Sequence, residues 1–240
     1  GIVDWRVSEL QRLGVEVRTN TYAEPSDVLA ESPDAVIVAT GGVPDLSWVD
    51  GGELCSTVWD VLGEATSVKE DVIVFDSTGR HAAVSCALHL AEHGRHVQFV
   101  TLDDNVGVEM EYSSRVVYRQ RFAKHGVKTT TDHQLVGVRK SGNGLIATFR
   151  HELTGETLQL QAAQVVVENG TVPVDDVFSG LRDRSLNQGI TDLDRLLARQ
   201  PQLNGYRADV GFELHRIGDA VTSRGVHSAI YDALRLAGAL

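Results

Sequence analysis

Three times along the chain a helix-like stretch ends on glycine and runs straight into a strand-like one. These are residues 10–17 around Gly14, 90–97 around Gly94 and 122–128 around Gly126. Glycine suits the left-handed position just past a helix C-terminus, where a Cβ would be strained. Helices that hand over directly to short β-branched runs predict a parallel α/β sheet.

A second repetition sharpens this. Residues 36–44 align with 165–173, 129 positions later. Each copy is a strand-like run, then a glycine turn (Gly41 and Gly170), then a proline (Pro44 and Pro173). One unit used twice predicts two related domains. Between the copies lies a complete β-α-β unit: a strand over 71–75, a tight connection over 76–80, a helix over 81–93 and a strand over 97–101. Ala83, Val84, Ala87, Leu88 and Ala91 share one helix face, and the spacing is that of a Rossmann-like domain. Runs over 134–140, 145–150 and 157–161, separated by Ser141-Gly142-Asn143-Gly144 and Thr154-Gly155, predict a three-stranded antiparallel meander. Residues 43–70 read as a connection. A strand over 213–217 ends in Gly218-Asp219-Ala220. A helix from Val226 follows, with Ala229, Ile230, Ala233, Leu234 and Ala237 facing inward.

Composition narrows the function classes. Hydrophobic residues make up 42% and charged residues 23%, which excludes a disordered, collagen-like or coiled-coil chain. A net charge of −11 leaves no basic footprint, so neither nucleic acid nor an anionic membrane surface is an expected partner. No apolar run approaches the ~20 residues of a membrane span. Two cysteines, Cys55 and Cys86, make no disulfide framework and cannot supply an ordinary iron–sulfur cluster. Low cysteine and the absence of a signal peptide point to a cytoplasmic protein. Gly1 enters helical sequence at once, so the chain reads as a piece of a longer protein.

Ala39-Thr40-Gly41-Gly42, the nested β-α-β domain with its meander, and Ile217-Gly218-Asp219-Ala220 together resemble the flavoprotein disulfide-reductase architecture of two dinucleotide domains. Within it, the chain resembles the C-terminal module of the trimethylamine dehydrogenase and 2,4-dienoyl-CoA reductase family. Residues 76–83 and 185–202 look most like its demethylating branch, which includes N-methylproline demethylase. The resemblance spans essentially the whole chain. It implies an α/β fold of two nested, glutathione-reductase-like domains. An FAD- or ADP-binding type formed by 1–46 and 174–240 would lack its N-terminal βα unit, and an NAD(P)-binding-like domain would cover 70–168. It also implies an upstream barrel bearing FMN and an iron–sulfur cluster, and in the trimethylamine dehydrogenase branch an electron-transferring flavoprotein as acceptor. A homo-oligomer stays open.

The resemblance places cofactor contacts at Ala39, Thr40, Gly41, Gly42, Gly218, Asp219, Ala220 and Gly79. A pyrophosphate needs close backbone approach and free N–H donors, which Gly41 and Gly42 suit. An acid at a strand end, as Asp219, can accept from sugar or ribityl hydroxyls. The first fingerprint would have to lie before Gly1, so the FAD or ADP site is expected to be incomplete here.

The second fingerprint departs from G-x-G-x-x-G: its glycine positions read Asp76, Thr78 and His81, leaving only Gly79. Two like charges ~4 Å apart at an effective dielectric of ~20 repel by about 4 kcal/mol. Asp76 beside a pyrophosphate would therefore cost roughly three decades of affinity. The expectation is a vestigial domain with NAD(P) binding doubtful, although Arg80 and His81 could still meet a phosphate. Asp103-Asp104 lies where an acid would hold a ribose, or is a loop capping pair. His89-Leu90-Ala91-Glu92-His93 matches an inverted zincin pattern, but on the polar face of its helix it reads as solvated surface, not metal. Cys86 reads as packing, and Trp5, Trp48 and Trp59 as core or domain-contact anchors. No residue stands out as catalytic.

Three functions remain open. One is a module of a flavin oxidoreductase acting on a small N-methylated amine or amino acid. Another is an NAD(P)H-dependent flavin or dienoyl-CoA reductase module. The third is a non-catalytic scaffold.

Overall fold

The computed structural model describes residues 1–202 and 211–240, so residues 203–210, inside the expected 174–240 segment, lie outside the described residues. In chain order the helices are α1 (Ile2–Arg12), α2 (Pro25–Ala30), α3 (Val58–Leu62), α4 (His81–Glu92), α5 (Tyr112–Lys124), α6 (Asp176–Leu181), α7 (Leu193–Ala198) and α8 (Val226–Ala237). The strands are β1 (Ala35–Val38), β2 (Gly42–Val43), β3 (Ser56–Thr57), β4 (Asp71–Asp76), β5 (His96–Thr101), β6 (Lys128–Thr130), β7 (His133–Ser141), β8 (Gly144–His151), β9 (Thr157–Ala162), β10 (Gln164–Glu168), β11 (Val172–Pro173) and β12 (Glu213–Arg216). They divide into two compact units, one of 1–39, 175–217 and 230–240, the other of 40–174 and 218–229.

The larger unit is built on a sheet of order β3-β10-β4-β5-β6 with every pairing parallel. A strand buried on both faces must be apolar at every position. β4 meets that demand with Val72, Ile73, Val74 and Phe75, all fully buried. Alternation then sorts them. Val72 and Val74 join Val166 and Phe99 against α4, while Ile73 and Phe75 join Val165, Val167 and Val100 against the meander β7-β8-β9. Burying one such side chain contributes roughly 1.5–3 kcal/mol. The predicted α4 face of Ala83, Val84, Ala87, Leu88 and Ala91 is the buried one, and Cys86 packs with it.

The two copies of the repeated unit meet. β2 and β11 pair antiparallel, Val172 with Val43 and Pro173 with Gly42. The Val174 N–H donates to Gly41 O at 3.0 Å.

In the smaller unit β1 and β12 form a two-stranded parallel pair. The Asn187 carboxamide serves β12 as a third neighbour would. Its Oδ1 accepts the Leu214 N–H at 3.0 Å and its Nδ2 donates to Leu214 O at 2.9 Å, so both buried backbone groups are satisfied.

Several expectations fail. No strand forms at 15–17; Val15 and Val17 are exposed, and an extended segment without a ladder partner is not a strand. Residues 43–70 are more than a connection, since they supply β3, an edge of the main sheet, and α3, capped by Thr57. On α8 the buried side chain is Leu236, while Ile230 and Leu234 are exposed. Of the three tryptophans read as core or domain-contact anchors, Trp48 packs near Phe75, with 6.1 Å between ring centroids, while Trp5 and Trp59 are exposed and do not belong to the core of this chain.

Candidate functional site

Parallel sheets carry ligands at the carboxyl ends of their strands, and the larger unit has a cleft of about 500 Å³ there. Ser77, Thr78 and Arg80 after β4, Asp103, Val108 and Glu109 after β5, and Asn169, Gly170 and Ser223 line it. Arg80 Nη1 donates to Arg224 O at 2.7 Å and Ser223 O at 3.5 Å. Ser77 Oγ bonds the Asn169 carboxamide oxygen and donates to Glu168 O at 3.3 Å.

The turn after β4 has the form of an anion cradle, but it already holds a carboxyl group of the chain itself. Asp76 is fully buried. Its Oδ1 accepts the Thr78 N–H at 2.9 Å, the Thr78 hydroxyl at 2.9 Å and the Gly79 N–H at 3.2 Å. Gly79 holds φ at +63°, and a Cβ on it would lie 2.6 Å from Val108 Cγ2 and 2.7 Å from Asp103 Oδ2. The face that a fingerprint glycine keeps open for a pyrophosphate is therefore filled by side chains. Burial pushes the Asp76 carboxyl above its ordinary range; the Thr78 and Gly79 hydrogen bonds oppose that, and Asp103 adds to it. Burial raises Asp103 as well, helped by Asp104 and Glu109. It also raises Glu168, with the Gly170 N–H bond and Arg80 pulling down and Asp76 pushing up. Asp76 Oδ2 and Asp103 Oδ2 are buried with no hydrogen-bond partner among the described residues. A pyrophosphate does not fit this turn.

The flavin-type candidates differ. Ala39 and Thr40 are exposed after β1, and the Thr40 hydroxyl donates to Val174 O. Gly41 sits at φ +74° with nothing within 4 Å of where its Cβ would be. Gly42 is constrained by the protein itself, since a Cβ there would lie 2.6 Å from Thr171 Oγ1 and from Val172 O. Gly218 is buried, 3.1 Å from the Ala229 Cβ by the same measure. Asp219 is half-buried and its Oδ1 accepts the Arg224 N–H at 3.1 Å; Ala220 is fully buried. β11 pairs with β2 and lies against the Gly218–Ala220 turn, so the fold brings the 40–42 and 218–220 candidates to one neighbour. Open space at Gly41 and an acid at Asp219 fit an adenine dinucleotide. Such a group supplies hydride or electron transfer chemistry when it is a flavin.

The zincin-like histidines do not form a centre. His89 and His93 are exposed, their ring centroids 4.3 Å apart, and Glu92 pairs with Arg121. No cluster of three or more metal-ligating side chains occurs among the described residues. Burial pushes the Cys86 thiol up to about 12, which leaves it inert. Sequence reasoning missed Ser77, Glu168, Asn169 and Ser223. Glu168 and Asn169 had a signal, because Glu168-Asn169-Gly170 is the second copy of Ala39-Thr40-Gly41.

Residues 15–194 match the family model described as pyridine nucleotide-disulphide oxidoreductase. The chain belongs to the pyridine nucleotide-disulphide oxidoreductase family. As such it is an FAD/NAD(P)-binding type of module with a glutathione-reductase-like fold. It is 45% identical over 243 aligned residues to a multifunctional alkene reductase/demethylase OYE of Caballeronia cordobensis, covering all of this chain and 36% of that protein. It is 40% identical to a probable N-methylproline demethylase of Rhizobium meliloti (strain 1021), covering 98% of this chain and 35% of the relative. Among solved structures, 6-hydroxypseudooxynicotine amine oxidase from Pseudomonas geniculata N1 superposes with a TM-score of 0.77 at 22% identity, over 99% of this chain and 34% of that one. This pyridine nucleotide-disulphide oxidoreductase module thus spans about a third of the curated relatives it matches, as the resemblance to the trimethylamine dehydrogenase and 2,4-dienoyl-CoA reductase family implied. No helix among the described residues is long and apolar enough to cross a membrane.

Proposed function

We propose that this chain is the nucleotide-binding module of a flavin oxidoreductase that oxidises a small N-methylated amine or amino acid. The names of its relatives, alkene reductase/demethylase and N-methylproline demethylase, support the substrate class. Substrate chemistry would sit on an FMN-bearing barrel with an iron–sulfur cluster in the same polypeptide. In this module FAD or ADP would be held by Ala39, Thr40, Gly41 and Gly42 together with Gly218, Asp219 and Ala220. Electrons would leave to an electron-transferring flavoprotein rather than through NAD(P), and the setting would be cytoplasmic.

The observation that carries the reading is at the β4 turn, where the Thr78 and Gly79 N–H groups bond to Asp76. Those two turn donors are taken before any pyridine nucleotide arrives. Calorimetric titration of NADH and NADPH into the 240-residue chain tests it. No saturable binding up to millimolar nucleotide is expected, and micromolar binding would overturn the acceptor assignment. The second reading, an NAD(P)H-dependent reductase module, draws on Arg80, a cation that lines the cleft.

A further inference from the structure

We propose that Asp76 is the cofactor-selecting residue of the second nucleotide-type domain, a built-in anion that takes the donors a dinucleotide pyrophosphate would need and lets the turn fold without one. The proposal rests on the reading that NAD(P) is not used, and it names the residue responsible.

A strand-turn-helix with consecutive N–H groups pointing inward is an anion-binding concavity. In a nucleotide-loaded domain, glycine at the strand end leaves that concavity for phosphate oxygens. Empty, it would hold buried N–H groups without partners, each costing free energy. Asp76 solves both problems from within the chain. Its Oδ1 receives three donors from Thr78 and Gly79. Charge-assisted bonds of this kind are roughly twice as strong as neutral ones. Because the carboxylate is tethered two and three residues from the donors, it competes at a high effective concentration that no free ligand matches.

The rest of the turn agrees. Val108 and Asp103 close on the open side of Gly79, and the Glu109 N–H donates to Gly79 O at 3.0 Å. Arg80, which could have met a phosphate, offers its Nη1 to the Ser223 and Arg224 carbonyls. Asp103, Glu109 and Glu168 stand around the same turn and make it more hostile to a polyanion. The lost glycine is therefore more than decay of a motif. Its replacement is a particular residue in a particular set of bonds.

The test follows inorganic pyrophosphate by the amide resonances of Thr78 and Gly79 in the isotope-labelled 240-residue chain, so that binding at any flavin-type site is not mistaken for binding here. In the native chain these resonances should not move with millimolar pyrophosphate. In Asp76→Gly they should shift saturably, with affinity at least about tenfold above native. Asp76→Asn removes the charge but keeps an oxygen acceptor, and should gain less than Asp76→Gly. A folded Asp76→Gly whose Thr78 and Gly79 amides respond no more than native overturns the proposal. If that variant does not fold, the native chain decides. The Thr78 and Gly79 amides must titrate along the same curve as the Asp76 carboxyl carbon, and amides that ignore it overturn the proposal equally. NADH binding to the native chain would sink the proposed function. A native chain blind to NADH together with an unresponsive Asp76→Gly would sink only the role of Asp76.

Discussion

Gly41 and Gly79 occupy matching places, each in the turn after a parallel strand and each at positive φ, +74° and +63°. Beside Gly41 there is open space. Beside Gly79 there are Val108, Asp103 and, three residues earlier in the chain, the Asp76 carboxyl already bonded to the turn. A glycine can thus be kept for two unrelated reasons. One is to leave room for something that arrives; the other is to let the protein's own side chains close in. The first is a candidate binding position, and the second marks a turn that has become self-sufficient.

The sharpest way to stress that contrast is Gly42→Val. Its new side chain meets the Val172 carbonyl and the Thr171 side chain. Backbone cannot yield, so a loss of about 3 kcal/mol is expected from the urea midpoint. A near-native midpoint would show that β2 and β11 do not hold each other. Next comes Gly79→Ala, where backbone strain adds to contacts with side chains that can shift. We expect about 2 kcal/mol of destabilisation and no change in NADH titration. Gly41→Ala should cost only about 1 kcal/mol in stability yet weaken ADP binding about tenfold or more, if the open side receives a nucleotide. Unchanged ADP affinity in that variant would remove Gly41 from the site.

The smallest effect is in pH dependence. Burial raises the Asp76, Asp103 and Glu168 carboxyls. The folded chain therefore holds these protons more tightly than the unfolded chain. Their stabilising contribution is complete below the unfolded values and is lost as pH rises through the folded ones. Lowering pH from neutrality toward the upper carboxylate range should strengthen this part of the fold, opposite in sign to an ion-paired acid. Asp76→Asn should flatten the trend in urea midpoints against pH, and an identical slope in both chains would contradict it.

Much of this was readable from order along the chain. The alternation of helix, glycine and strand, the meander and the buried face of α4 depend on local periodicity and turn chemistry, which neighbouring residues decide. The loss of three fingerprint glycines was visible too, and with it the expectation of a failed pyridine-nucleotide site. What Asp76 does there was not. Repulsion was the expectation, whereas the carboxyl group proves to be the partner of the turn donors, and its complete burial leaves it those donors in place of water.

Where local pattern misled, the deciding contacts were distant. Residues 15–17 have strand-like composition but find no ladder partner. Ser56-Thr57 has little strand signal but lies against β10, 110 positions away. On α8 a periodic apolar face lost its burial to Leu236. The sequence by itself determined the helix α4 and the strands on either side of it, the meander, the parallel class and the missing glycines, matters of short-range backbone preference. Only the tertiary structure decided which strands pair, which glycine faces space and which faces side chains, since those depend on what non-local packing brings to each Cα.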